Sequence, residues 1–342
     1  VVSARLSFLT TAWGTEDLIA ATIESVQAQT CPDWELVVVD NGESDAMAEV
    51  VGRYGADDPR IRLVRQPNRG YRGGVMAAAA AASGEFVCVL DSDDTLLPRF
   101  VERVLATFDA EPGVAAVGVD AHRFGEPDVS VNLPVDYMAS GGVHHPPSPD
   151  TPLTLVDVLS GCVPYYCAAI RRSAWDAVEG YEPQGTGMSE VDESVIIWCR
   201  LVRDFDARLL PEVLARYRLR SDSLSRDPAR VERFENELMR SFQAGAGTSL
   251  SAEEAAALES TLRRLRYQQQ IRRSRHALLD GDAVAAKNAA REAFRLRRTA
   301  RAGTIYAGLC VAPGALTRIH PAKQAITART EVALGRLRKT SA

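Results

Sequence analysis

Four short apolar runs punctuate the first ninety positions: Leu6–Leu9, Trp34–Val39, Ile61–Val64 and Phe86–Leu90. Residues that are apolar at nearly every step, rather than at every second one, predict strands buried on both faces of a parallel sheet. Between these runs the apolar positions fall at helical spacing. Leu18, Ile23 and Val26 follow Thr15, a candidate cap, and Met47, Val50, Val51 and Tyr54 share one side of a second helix. A Gly-rich loop over 66–74 leads into the alanine-rich helix 75–82. The alternation of strand and helix predicts a doubly wound, Rossmann-like α/β sheet. Further strands are expected at 113–119 and 162–172, with a helix at 195–202 and a long irregular insertion over 120–150.

The polar residues after these strands carry the candidate chemistry. The run Phe86–Leu90 stops at Asp91-Ser92-Asp93-Asp94, three carboxylates within four residues. Open α/β sheets place ligands at the C-terminal edge of their strands. Carboxylates this close repel one another unless a cation or a donor-rich ligand compensates them. Their oxygens suit Mg²⁺ or Mn²⁺ carrying a diphosphate. The alternative is a solvated acidic turn capping a helix that begins near Leu97. The second strand also ends in a carboxylate, Asp40. The Gly-rich loop fits neither the dinucleotide fingerprint nor a Walker A sequence, which disfavours both chemistries. His144-His145 has no partner at metal-ligand spacing, so loop polarity is its default reading.

Past Asp227-Pro228 the composition changes, and helices are expected at 229–243, 251–279 and 283–298, the second opening with the capping box Ser251–Glu254. From Arg263 to Lys339 there are 18 Arg and Lys against 4 Asp and Glu, while the remainder holds 22 against 41. Such a tail suits an anionic surface. With the apolar stretch 305–316 it leaves docking on the body of the protein, peripheral membrane contact and self-association open. The tail lacks interleaved aromatics, which argues against nucleic acid. Of six scattered cysteines, Cys88, Cys162, Cys167 and Cys199 lie in apolar surroundings and read as buried thiols of a reducing compartment. With no membrane-spanning run and no signal-peptide pattern, a cytoplasmic protein is expected, at most peripheral at the inner membrane face.

Taken together, Thr10–Trp13, Leu18, Ser25, Gln29-Thr30, Glu35–Asp40 with Ser44-Asp45, Asn68-x-Gly70, Gly84–Phe86 and Leu90–Asp94 resemble family 2 glycosyltransferases of the GT-A fold. The resemblance covers roughly residues 4–225. It implies a GT-A domain over 1–226 that binds a nucleotide sugar, with a basic helical C-terminal region over 227–342. In that family Asp40 would recognise the base, and Asp91 and Asp93 would hold the ribose and a divalent cation, Mn²⁺ or Mg²⁺. Thr11, Trp13, Asn68 and Ser92 fall at nucleotide-sugar-binding positions of the motif. The family's Arg after the Gly-rich loop is missing, and Arg72 is the nearest cation to replace it against the nucleotide, unless it is simply a solvated loop residue.

A general base is expected just before the helix that holds Trp198. Counting back from Trp198 puts Ser194 at the family's Asp, so the motif is shifted or altered, and Asp192 and Glu193 are both candidates. Helix capping is the bland role for either. Arg220 takes the position of a family His that helps bind metal. An Arg cannot ligate a cation but can pair with a diphosphate, which leaves metal dependence open. The resemblance thus implies an inverting transfer from a nucleoside-diphosphate sugar, most commonly of UDP, to an acceptor hydroxyl on a glycan, lipid-linked glycan, peptide or natural product. The rivals are a catalytically silent glycan- or nucleotide-binding protein and a sugar-phosphate nucleotidyltransferase. The latter would need a Gly- and Arg-rich loop after the first strand, where Thr10–Thr15 stands.

Overall fold

The computed structural model describes residues 4–125, 136–181, 193–220, 231–312 and 314. In chain order its elements are β1 (Leu6–Ala12), α1 (Ile19–Gln27), β2 (Trp34–Asp40), α2 (Asp45–Asp57), β3 (Ile61–Arg65), α3 (Gly70–Ala81) and β4 (Phe86–Val89). Then come β5 (Thr95–Leu96), α4 (Phe100–Ala110), β6 (Val114–Gly125), α5 (Tyr137–Ser140), α6 (Leu155–Leu159), β7 (Ala169–Arg171), α7 (Arg172–Ala177), α8 (Glu193–Asp204) and β8 (Asp206–Leu219). Four helices follow: α9 (Val231–Ala246), α10 (Ala252–Leu279), α11 (Ala283–Leu296) and α12 (Ala300–Val311).

The strands form one sheet in the order β3-β2-β1-β4-β7-β6-β8-β5. Its first four strands are parallel, and β7 enters antiparallel to both β4 and β6. This is the α/β, Rossmann-like arrangement expected from the apolar runs. β1, β2 and β4 are buried along nearly their whole length, because helices cover the sheet and leave no face for polar alternation. The main core joins Leu6, Phe8, Leu36, Val38, Phe86 and Cys88 of these strands to Ile23 of α1, Met47 of α2 and Val104 and Phe108 of α4. Chain order reverses across β1, whose neighbours are β2 and β4, and that crevice is where open sheets of this kind bind ligands.

Several local expectations are corrected. The Gly-rich segment is not a loop ahead of its helix; α3 already begins at Gly70. The Asn68 side chain accepts the Gly70 N–H at 2.8 Å, and Gly70 itself takes a positive φ of 74°. Thr15 does not cap α1 with its hydroxyl. Its carbonyl receives the Leu18 and Ile19 N–H groups, and its Oγ1 pairs with Ser92 Oγ at 2.8 Å. The strand expected over 162–172 shrinks to Ala169–Arg171: residues 162–168 run irregularly into it and α7 starts at Arg172. The described parts of the insertion carry regular structure: β6 continues to Gly125 beside β8, and α5 spans Tyr137–Ser140.

By contacts the chain divides into Val1–Leu258 and Glu259–Ala342. α9, which lies past the expected boundary at 226/227, belongs to the first unit, where Arg203 of α8 donates to the Gly245 and Ala246 carbonyls. The second unit packs alanines against larger side chains: Leu278, Ala286, Ala290 and Leu309 in one cluster, Tyr267, Ala293 and Ala302 in another. The capping box at Ser251 and Glu254 is present, with 2.7 Å and 3.2 Å hydrogen bonds. All six cysteines are free, and Cys88, Cys162, Cys167 and Cys199 are buried as expected. No helix among the described residues is long and apolar enough to cross a membrane.

Candidate active site

The ends of β1, β2 and β4 converge in register. Ala12 lies opposite Asp40, and the Leu90 N–H donates to the Leu9 carbonyl immediately before the acidic run. One carboxylate oxygen each from Asp91, Asp93 and Asp94 falls within 4.8 Å of the others. The turn is not a solvated cap. Asp94 is 1% exposed, and α4 begins only at Phe100.

Asp94 is the structural member of the three. One oxygen accepts from the hydroxyls of Tyr165 and Tyr166, and the other accepts the Arg218 N–H at 2.6 Å. Burial, reinforced by the charges of Asp93 and Asp91, pushes its carboxyl well above the ordinary range. Asp91 receives the Tyr71 hydroxyl at 2.7 Å. Burial, with the charge of Asp93 beside it, pushes Asp91 up to about 7. Asp93 is also raised by burial, an effect that Arg220 opposes from 3.3 Å. Arg218 adds a 2.7 Å hydrogen bond to the Asp93 carbonyl.

This donor set fits a hard divalent cation. The oxygens are all carboxylate, their mutual repulsion already shows in the raised Asp91, and Asp94 is taken up by its tyrosines. Asp91 and Asp93 are the members of the cluster that could hold a cation. Arg220, at the end of β8, supplies a second positive charge to the same place.

The other expected residues lie around this cluster. Asp40 is almost fully buried. Its Oδ1 accepts the Ser44 N–H at 3.0 Å and its Oδ2 meets Arg65 Nε at 3.1 Å. Two carboxylate oxygens offer about four acceptor sites, so capacity remains for a ligand N–H. Asn68 braces the start of α3 through Gly70. Thr11 lies under Gly74, where an added Cβ would stand 1.9 Å from Thr11 Oγ1, and that oxygen has no hydrogen-bond partner among the described residues. Trp13 is 70% exposed, beside the Gly42 backbone. Ser92 is buried against Thr15.

Arg72 is not a solvated loop residue. Its Nε and Nη2 reach Glu193 Oε1 at 2.7 and 2.6 Å, and Glu193 is buried as the first residue of α8. Asp192, the other candidate base, lies outside the described residues.

Sequence reasoning assigned no role to Tyr71, Tyr165, Tyr166 or Arg218, all of which touch the acidic cluster. A signal existed for some of them. Tyr165-Tyr166 interrupts an apolar run with two hydroxyls, and Arg216, Arg218 and Arg220 alternate along a strand. Asn41, the residue after β2, was also missed. It accepts from Gln66 and from the Arg69 N–H, and it donates to the Gly70 carbonyl.

Comparison with known proteins bears on this geometry. The family model "Glycosyl transferase family 2" matches residues 7–177. The succinoglycan biosynthesis protein ExoO of Rhizobium meliloti is 38% identical over 113 residues, which span 33% of this chain and about a third (32%) of that relative. Among solved structures, TarS of S. aureus in complex with UDP-GlcNAc superposes with a TM-score of 0.54 at 17% identity, covering 88% of this chain and 83% of the other. The mannosyltransferase PcManGT of Pyrobaculum calidifontis, in complex with GDP-Man and Mn²⁺, gives 0.59 at 16% identity, covering 94% and 84%. At such identity these two likenesses speak for the fold, a GT-A-like sheet followed by helices.

Proposed function

Since the chain belongs to glycosyl transferase family 2, whose model matches half of it, we propose that it transfers a sugar from a nucleoside-diphosphate donor, UDP in first place, to an acceptor hydroxyl with inversion at the anomeric carbon. The observation that carries this reading is the acidic cluster at the end of β4, faced by Arg220 and braced by four side-chain and backbone donors. TarS and PcManGT, with their UDP-GlcNAc, GDP-Man and Mn²⁺, support a nucleotide-sugar donor and a divalent cation.

In this reading Asp40 accepts an N–H of the base with the lone pairs that Ser44 and Arg65 leave available. Trp13, exposed beside Gly42, offers a ring to the base, and Thr11, Asn68 and Ser92 shape the crevice. Asp91 and Asp93 would hold Mn²⁺ or Mg²⁺, which would supply positive charge against the diphosphate. Arg220 contributes positive charge to the same leaving group. On the acceptor side Asp192 is the base. The alternative, Glu193, has its Oε1 engaged by the Arg72 guanidinium. The base removes the acceptor proton, the acceptor oxygen bonds to the anomeric carbon, and the broken bond's electron pair leaves with the nucleoside diphosphate. We also read the basic region from Arg263 onward as a contact for an anionic membrane surface, with self-association as its alternative.

The test is a thermal-shift panel of UDP, dTDP, GDP and CDP, each with and without Mn²⁺, followed by release of nucleoside diphosphate from the matching nucleotide sugar. Stabilisation by one nucleotide names the donor class, and turnover separates an enzyme from a silent binding protein. Absence of stabilisation by all four, with and without cation, overturns the reading.

A further inference from the structure

We propose that the first turn of α3 sets both ends of the site. Tyr71 positions the donor-side carboxylate Asp91, while Arg72 positions the start of α8 on the acceptor side. The inference rests on the sugar-transfer reading above and adds two positioning residues to it. Consecutive helical residues point about 100° apart, so neighbours on one turn can serve two different walls. The Tyr71 hydroxyl donates to Asp91 Oδ1 at 2.7 Å. Its ring lies 6.4 Å from that of Tyr181, which in turn packs 5.3 Å from Trp175. Arg72 closes on Glu193 Oε1 with two of its nitrogens.

The turn that carries both residues is itself anchored. Asn41 accepts the Arg69 N–H at 3.1 Å and donates to the Gly70 carbonyl at 2.9 Å, while Asn68 accepts the Gly70 N–H. Behind it Gly74 permits contact with Thr11 of β1 that no other residue would allow. Tyr71 and Arg72 therefore project from a fixed base at the end of β2. Glu193 is 5% exposed, and a buried ion pair is costly to break from one side, because the abandoned charge stays buried. Asp192 is bonded directly to Glu193, the residue that the ion pair holds. Sugar transfer needs the anomeric carbon and the acceptor oxygen held in near-attack alignment, about 3–3.5 Å apart. One rigid turn that places both the donor's carboxylate and the residue next to the base meets that need.

The experiment compares Tyr71→Phe, Arg72→Ala and Arg72→Lys in the full chain by three readouts. These are the Mn²⁺ concentration at half-maximal thermal stabilisation with whichever of UDP, dTDP, GDP or CDP stabilises the wild type, release of nucleoside diphosphate to water, and amide hydrogen exchange over α8. Tyr71→Phe is expected to raise the Mn²⁺ midpoint about tenfold, the loss of a hydrogen bond to a charged group, with exchange in α8 unchanged. Arg72→Ala is expected to leave that midpoint in place, to speed exchange at the start of α8, and to slow turnover about a hundredfold. Arg72→Lys, which keeps the charge, falls between it and the wild type and stands in if the alanine variant does not fold. Identical profiles for the two positions, or wild-type exchange in α8 after loss of Arg72, overturn the proposal. A wild type that binds no nucleotide overturns the sugar-transfer reading and with it the donor-side role of Tyr71, while exchange in α8 still decides for or against Arg72.

Discussion

At the sheet edge the buried positions include Asp40, Asn41, Ser92, Asp94 and Glu193, each gripped by partners from distant parts of the chain. In the helices after Glu259 the buried positions are mainly alanine and leucine, while Arg263, Arg266, Arg273, Arg275, Lys287 and Arg291 lie exposed. One region takes many polar groups out of water against partners brought by the fold; the other buries mainly alanine and leucine and leaves most of its charge in solvent. Buried polar networks cost heavily when one member is lost, whereas exposed charges on a helix are replaceable. The contrast locates the chemistry. Fixed polar geometry is what a reaction requires, and a diffuse positive surface is what a weak, salt-sensitive contact requires.

The largest effect that would sharpen this contrast comes from the acidic cluster. Asp93→Asn is expected to lower release of nucleoside diphosphate about a hundred- to thousandfold and to abolish the extra thermal stabilisation that Mn²⁺ gives with nucleotide. Wild-type turnover in that variant would remove Asp93 from the site.

Second is a single type of substitution made in both regions. In Gly74→Ala the new Cβ would stand 1.9 Å from Thr11 Oγ1 and 2.6 Å from Thr11 Cβ, so α3 must leave β1. The expected cost is about 2–3 kcal/mol, read as a lower midpoint in urea. In Gly303→Ala the nearest atom is Phe294 Cε2 at 3.3 Å, the edge of a ring that can yield. There, helix propensity favours alanine by about 1 kcal/mol, so a neutral or stabilising outcome is expected. The same sign in both would erase the distinction.

Third is pH. Asp91 has an ordinary value of 3.8 and is raised to about 7 in the fold. Between those values the folded state holds a proton that the unfolded state has lost, so its contribution to stability is present below 3.8 and declines as pH rises to about 7. Without cation, thermal stability should therefore fall across this window. Mn²⁺ competes with the same proton, so its stabilising shift should grow from pH 6 to pH 8. Asp91→Asn should flatten both trends, and a Mn²⁺ shift independent of pH in the wild type would contradict the assignment.

The sheet was legible because β1, β2 and β4 are buried on both faces and so leave unbroken apolar runs. The carboxylates were legible because a strand that stops at charge must do so at an edge. What could not be read were contacts closed by distant residues. Tyr165 and Tyr166 reach Asp94 across 71 and 72 positions, Arg218 reaches it across 124, and Arg72 reaches Glu193 across 121. No local pattern encodes such pairings. Arg72 shows the consequence: its charge suggested a ligand contact, and its ion pair with the buried Glu193 could not be foreseen. The start of α3 failed for a different reason. Gly70, Gly73 and Gly74 lower helix propensity, yet close packing on Arg69 and Thr11 demands Gly73 and Gly74 inside the helix, and Gly70 takes a positive φ at its start.

The smallest effect on the fold is expected from the basic helices, and it tests the other half of the comparison. Arg266, Arg275 and Arg291 are exposed on α10 and α11. Replacing all three by Gln should move the thermal midpoint little, since exposed substitutions away from packing cost within about 0.5 kcal/mol each. If the region meets an anionic membrane, the same triple variant should lose sedimentation with phosphatidylglycerol-containing vesicles by about fivefold per cation. Neutral phosphatidylcholine vesicles should bind neither form, and added salt should reproduce the loss in the wild type. Salt-sensitive dimerisation without vesicle binding would transfer the basic surface to self-association. A large drop in stability would show that these charges belong to the packing after all, and the two regions would then differ in composition but not in kind.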